Sequence, residues 1–203
     1  SSAALAQDAF VDEGETATNN GTFSDVPADN VLVTANVGLI TQDTGNAGNW
    51  DWSFGTNDGP TQSQTVTVTA NDGDGGITSK TFSLVVNNVA PSVAADSASV
   101  TVNEAITASN TGTFSDPGDD DVTVTASVGT VAPTSGNNGT WSWSFDSADG
   151  PDESQTVTIT ATDSDGAFTE TTFDLTVNNV APIAVAADSA SVTVNEAITA
   201  SNT

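Results

Sequence analysis

Apolar and polar residues alternate along this chain in short runs, and each run is broken by a cluster of Gly, Asn, Asp or Pro. No stretch shows the 3.6-residue period of an amphipathic helix, so the pattern predicts an all-β protein. In the second half the runs place strands at residues 97–103, 107–115, 122–127, 140–146, 154–162 and 168–178, with a short extra strand at 130–132. The first half matches strand for strand. Six or seven strands in about ninety residues, with turn signals between them, is the arithmetic of an immunoglobulin-like sandwich.

The bulky residues of this pattern fall on single faces. In Trp141-Ser142-Trp143-Ser144-Phe145 a period of two puts the three aromatic rings on one face and both serines on the other. The stripe is expected to fill the space between two sheets beside Phe114, Phe173, Val157 and Ile159, with Phe23 and Phe82 as the first-half mates of the two phenylalanines, because so small a domain has little else from which to build a core. An exposed sugar-stacking platform is the alternative. The threonines of Thr156-Val157-Thr158-Ile159 then face solvent, as β-forming residues on an open sheet face do; O-glycosylation and a flat Thr array for ice or crystal binding are the sharper readings. Asn138-Gly139, ahead of Trp141, reads as a type I′ hairpin turn. The N-glycosylation sequons Asn20-Gly21-Thr22 and Asn138-Gly139-Thr140 coincide with expected turns, which account for those residues without a sugar.

The two halves are one sequence written twice. Trp50-Asp51-Trp52-Ser53-Phe54 recurs 91 positions later as Trp141-Ser142-Trp143-Ser144-Phe145, and Val86-Asn87-Asn88-Val89-Ala90-Pro91 recurs as Val177-Asn178-Asn179-Val180-Ala181-Pro182. After one inserted residue, residues 93–111 and 185–203 are identical. A period of that length is a whole small domain rather than a solenoid turn. The expected organisation is therefore tandem immunoglobulin-like β-sandwich domains in an extended array: one repeat at 1–88, a second at 89–179, and at 180–203 the first-strand segment of a third. Such a segment cannot bury a core alone, so it is expected either to be ordered by a neighbouring chain or copy, through strand addition or end-to-end docking, or to be the start of a repeat that a longer protein continues.

Composition then removes most chemistry. The 203 residues include Lys80 as the one basic side chain, 27 acidic residues and no His, Cys, Met or Tyr, for a net charge of −26. Without imidazole, thiolate or phenol the usual nucleophile and base pairings are absent, and an enzyme is not expected. The available ligands are carboxylates, amides, hydroxyls and main-chain oxygens, which suit Ca²⁺ or Mg²⁺ rather than Zn²⁺ or Cu²⁺. So acidic a surface repels phosphate backbones and anionic lipid, excluding nucleic acid, and no apolar stretch approaches membrane-spanning length. Roughly a quarter of the residues are Ser or Thr, a usage that points to an extracellular or cell-surface setting.

The acids are not scattered. In a sandwich of this connectivity the loop after the second strand, carrying Asp116, Asp119, Asp120 and Asp121, lies at the same end as the loop carrying Asp163 and Asp165, the end where the chain enters. Their first-repeat counterparts are Asp25, Asp29, Asp72 and Asp74. Asp163-Ser164-Asp165-Gly166 has the spacing that Ca²⁺ loops favour, alternate acids pointing into one pocket and Gly permitting the turn. At the opposite end sit Glu104 and Asp149, matched by Glu13 and Asp58. The bottom acids of one repeat thus face the top acids of the next across Asn87-Asn88 or Asn178-Asn179, repulsive without a cation and rigid with Ca²⁺. Solvated turn residues are the competing explanation for each Asp taken singly.

The motifs Val102-Asn103-Glu104, Gly112-Thr113-Phe114-Ser115-Asp116-Pro117-Gly118-Asp119-Asp120, Trp141-Ser142-Trp143-Ser144-Phe145, Thr162-Asp163-Ser164-Asp165-Gly166 and the closing Val177-Asn178-Asn179-Val180-Ala181-Pro182 cover the whole repeat. They resemble the immunoglobulin-like, cadherin-like or PKD-like repeats of very large bacterial surface adhesins and extracellular matrix or fibre proteins. That resemblance implies a spacer domain in adhesins, biofilm matrix or surface layers, often stiffened by Ca²⁺. It also implies junction roles for Glu104, Asp149, Asn178, Asn179 and Pro182, although the linker here lacks the acids of the cadherin pattern. The leading expectation is a structural extracellular repeat forming a stalk, fibre or matrix filament, with neighbouring copies of the same repeat or chain as partners in a homopolymer or long array. A carbohydrate- or surface-binding adhesin module, with glycans as partners, is the alternative.

Overall fold

The structure, a computed structural model, describes residues 7–27, 29–186, 188, 190–197 and 199. Among them no helix is long and apolar enough to cross a membrane. The first repeat forms β1 (Ala9–Asp12), β2 (Thr16–Ser24), β3 (Leu32–Ala35), β4 (Leu39–Gln42), β5 (Ala47–Gly55), β6 (Gln64–Asn71) and β7 (Ile77–Asn87). One sheet runs β1-β7-β6-β3 and the facing sheet β2-β5-β4. The second repeat adds β8 (Ser92–Ala95), β9 (Ser99–Asn103), β10 (Thr107–Ser115), β11 (Thr123–Ala126), β12 (Thr130–Pro133), β13 (Asn138–Asp146), β14 (Gln155–Thr162) and β15 (Phe168–Asn178). Its sheets run β9-β15-β14-β11 and β12-β13-β10-β8. All pairings are antiparallel except β1 with β7 and β9 with β15, which are parallel.

Alternation decides which face is core. On β14, Val157, Ile159 and Ala161 are completely buried while the intervening threonines stay half-buried or exposed. Trp143 is buried edge-on against Phe173 with ring centroids 4.9 Å apart, and Trp52 repeats the contact with Phe82 at 5.1 Å. Each of these indoles keeps its N–H satisfied: Trp52 Nε1 donates to the Val37 carbonyl and Trp143 Nε1 to the Val128 carbonyl, both at 2.7 Å. All four tryptophans are buried. The aromatic stripe is core, and it leaves no exposed indole on which a sugar could stack.

Two details depart from the sequence reading. The first strand of the second repeat is two strands, not one: β8 pairs with β10 in one sheet, and the chain then crosses to β9, which pairs with β15 in the other. Its first-repeat counterpart falls on residues 1–4, outside the described residues. Asn138-Gly139 and Asn20-Gly21 are not turns; both lie inside strands. The hairpin bend before β13 falls instead at Gly136, whose φ is 112°. Gly139 and Gly21 are there for space: a Cβ on Gly139 would overlap the Thr134 hydroxyl and meet Phe114 Cζ at 3.2 Å, and one on Gly21 would come within 2.6 Å of the Trp50 ring. The segment at 180–203 carries no strand in its described residues. Ile183 and Val185 are almost fully exposed.

Candidate metal centre between the two sandwiches

Strand order sets the ends. The chain enters each sandwich at one end and leaves at the other, so the turn after β1 and the loop between β5 and β6 of the first sandwich face the β10–β11 and β14–β15 loops of the second. Glu13 follows β1. Its backbone N–H donates to the Asn87 carbonyl at 3.0 Å, closing the last strand against the turn. Its carboxylate accepts from Gly59 N–H at 2.8 Å through Oε2 and from Val89 N–H at 2.7 Å through Oε1. The side chain therefore ties the β5–β6 loop to the linker, and it is only 1 % exposed. Gly14 must be glycine: its φ is 76°, and a Cβ would lie 2.5 Å from the Pro117 carbonyl of the second sandwich.

The second sandwich brings its acids onto this point. Asp116 Oδ1 accepts from Gly118 N–H at 2.7 Å, an Asx turn that curls the loop over Glu13. Asp120 Oδ1 accepts from the Ser164 hydroxyl. Asp163 accepts from Ala167 N–H at 2.8 Å and from the linker amide Asn88 Nδ2 at 3.0 Å. Carboxylate oxygens of Glu13, Asp116 and Asp120, all buried, lie within 4.8 Å of one another; so do those of Asp58, Asp120 and Asp165, with Asp120 common to both groups.

Three oxygens at this joint are buried without any hydrogen-bond partner: Asp116 Oδ2, Asp120 Oδ2 and Asn88 Oδ1. Orphaned buried acceptors are rare in proteins because each costs its lost hydration. Like charges at 4.8 Å repel by about 3 kcal/mol per pair at an effective dielectric of about 20. The one lysine gives no relief: Lys80 lies in β7, about 20 Å up the strand from Asn87. The electrostatics register this strain. Burial, and then the charges of Asp120 and Asp116, push the Glu13 carboxyl above its ordinary value despite two backbone hydrogen bonds that pull it down. Burial with Asp120 and Asp163 raises Asp116 likewise. Asp165, itself exposed, is raised by desolvation and by Asp120, Asp58 and Asp163. The donor set is all hard oxygen, in two groups sharing one carboxylate, and it fits a divalent cation such as Ca²⁺.

The remaining acids named from sequence are placed otherwise. Asp119 is exposed and hydrogen-bonded to Asn57. Asp121 is exposed and belongs to neither group. In the first sandwich Asp25 accepts from Val26 N–H at 2.7 Å, and Asp72 caps its own loop through Asp74 N–H and Gly76 N–H at 2.8 and 2.9 Å. Asp25, Asp29, Asp72 and Asp74 join no cluster among the described residues. At the far end of the second sandwich Glu104 accepts from Gly150 N–H at 3.0 Å and Val180 N–H at 2.8 Å, while Asp149 is exposed. Sequence reasoning missed the side chains of Asn88 and Ser164 as members of the joint. The linker position of Asn88 was the available signal; nothing marked Ser164, whose role depends on the pairing of two loops.

No protein-family model and no curated protein sequence matches the chain. Solved structures do. The titin domains Z1Z2, crystallised in complex with telethonin, superpose with a TM-score of 0.52 at 18 % identity, over 89 % of this chain and 97 % of that one. The Ig1+Ig2 fragment of DIP-gamma matches at 13 % identity over 86 % of this chain and 95 % of that one, with a TM-score of 0.38. The titin tandem A164-A165 matches at 9 % identity over 87 % and 95 %, with a TM-score of 0.35. The likeness to Z1Z2 shows the fold: two immunoglobulin-like β-sandwiches in tandem.

Proposed function

We propose that this tandem is a structural segment of an extracellular or cell-surface array, a stalk, fibre or matrix filament whose immunoglobulin-like repeats are stiffened by Ca²⁺ at their joints. The observation that carries the reading is the joint itself. Glu13, Asp116 and Asp120 converge from two sandwiches with two of their oxygens, and Asn88 Oδ1, unpartnered. Asp58 and Asp165 would complete a second position through the shared Asp120. A cation bound there gains ligands from both sandwiches and so restrains their relative rotation. The acidic composition supports an extracellular setting, where millimolar Ca²⁺ occupies even weak modular sites. The identical recurrence of 93–111 at 185–203 supports neighbouring repeats or copies as the partners. A non-catalytic role follows from the residue inventory.

Thermal unfolding with excess Ca²⁺ and with chelator, paired with titration calorimetry, tests the cation. A higher midpoint in Ca²⁺ that disappears in Asp120→Asn is expected. An unchanged midpoint in the parent protein removes Ca²⁺ from the proposal and leaves a plain tandem of sandwiches.

A further inference from the structure

Beside the acids, the two sandwiches touch through a polar contact that needs no cation. Asp119 N–H donates to the Asn57 carbonyl at 2.6 Å, and the Asn57 side-chain amide donates back to Asp119 Oδ2. The pair is reciprocal, backbone to backbone and side chain to side chain, between the β5–β6 loop of one sandwich and the β10–β11 loop of the next. Asn57 is itself held in place: its N–H donates to Gln62 Oε1 at 2.9 Å, and Gln62 Nε2 donates to Asn57 Oδ1. With Oδ1 occupied by that amide, Nδ2 is left facing Asp119, the one orientation in which it donates.

The far end of the second sandwich has the same loop without this device. There Ala148 stands in place of Asn57 and Glu153 in place of Gln62. Glu153 Oε2 still braces the loop, accepting from Ala148 N–H at 2.7 Å and Asp149 N–H at 3.3 Å. It presents a carboxylate where the first sandwich presents an amide donor. A following repeat with Asp at the position of Asp119 would meet a like charge and no donor.

We infer that Asn57 and Asp119 form a latch that fixes the rotation of the first sandwich against the second, selects a neighbouring repeat carrying an acceptor at the position of Asp119, and acts with or without a cation. The latch rests on the proposed reading of this junction as a stiff joint in a repeat array, but not on Ca²⁺. Asp119 is then a positioning residue of the interface, distinct from the two carboxylate groups beside it. Joints in such an array are of two kinds: latched ones, which keep their orientation when the cation leaves, and unlatched ones such as the Ala148 end, which do not.

The absence of cysteine allows a direct test on the full chain. Thr81→Cys and Thr172→Cys, matched exposed positions on β7 and β15, take spin labels whose distance distribution reports the joint. In chelator, Asn57→Ala and Asp119→Ala are each expected to lower the ratio of latched to unlatched distances about fivefold, the net worth of one solvent-exposed hydrogen bond. The double variant is expected to lose no more than either single one, as a coupled pair must. An unchanged distribution in both single variants, or additive losses in the double, overturns the latch. Both residues are exposed, so unchanged Trp emission confirms that the sandwiches stay folded. Added Ca²⁺ separates the two ideas: if it fails to narrow the parent distribution while Asn57→Ala still broadens it, the cation reading falls and the latch stands; the converse result sinks the latch alone.

Discussion

Glu13 and Glu104 are one residue written into two surroundings. Each follows the first parallel strand of its sandwich, and each carboxylate accepts from a loop glycine and a linker valine, Gly59 with Val89 or Gly150 with Val180. At Glu104 those two bonds dominate and hold the carboxyl below its ordinary range. At Glu13 the same bonds are outweighed by burial and by Asp120 and Asp116, and the shift reverses sign. The difference is the second sandwich. Without a sandwich packed on it among the described residues, the glutamate is comfortable ionised; packed against the second sandwich it is not, and the discomfort is what a cation would relieve.

The sharpest way to break this comparison is to delete each acid in turn. Glu13→Ala in Ca²⁺ is expected to cost about 3 kcal/mol in denaturant unfolding, because it strands two backbone N–H groups inside a joint. Glu104→Ala is expected to cost clearly less than Glu13→Ala, because its carboxylate is solvent-screened. Equal losses would show that docking adds nothing to Glu13.

Next in size is the cation. Raising Ca²⁺ to a hundredfold its dissociation constant is expected to add about 2.7 kcal/mol to the stability of the tandem. Asp120→Asn should remove that increment, whereas Asp149→Asn, at the open end, should keep it. Loss of the increment in Asp149→Asn would place the cation at the wrong end.

Acid then acts oppositely on the two ends. Glu13 and Asp116 have raised values when folded, so their contribution is fully present below the ordinary values of 4.5 and 3.8 and is lost as pH rises through the folded ones. In chelator the joint is therefore expected to tighten as pH falls from 7 toward 4.5, a trend that Glu13→Gln should flatten. Glu104 is lowered, so its contribution is present above 4.5 and is lost as pH falls through its folded value. The check is the interdomain spin-label distance across that pH range. The smallest expected effect is that of Asp74→Asn, an exposed loop acid outside every cluster among the described residues, which should change the unfolding free energy by no more than about 0.5 kcal/mol.

Much of this was legible in the chain because period-two alternation is a direct record of burial. Thr156-Val157-Thr158-Ile159 announces β14 and its buried face, and Trp141-Ser142-Trp143 announces the core. β8 was not legible, since Ser92-Val93-Ala94-Ala95 has little bulk with which to mark a face. Asn-Gly misled because a glycine demanded by a neighbouring side chain, the Trp50 ring at Gly21 and Thr134 at Gly139, looks in sequence like a glycine demanded by a turn. Connectivity alone foretold that Glu13 and Asp58 would meet Asp116, Asp120 and Asp165. It could not foretell Asn57 with Asp119, because that pair depends on residues that differ between the repeats and on the rotation of one sandwich over the other.

The parallel pairing of β1 with β7 and of β9 with β15 has a mechanical consequence. Each pair joins the strand that runs into the glutamate turn, β1 or β9, to the strand from which the chain leaves, through four residue pairs in the first and five in the second. Tension drawn along the chain would slide these strands past one another lengthwise, so the rungs share the load and must fail together. A hairpin pulled open from its ends gives way rung by rung. Where the load reaches these two ladders it meets them in shear, the direction in which paired strands resist together.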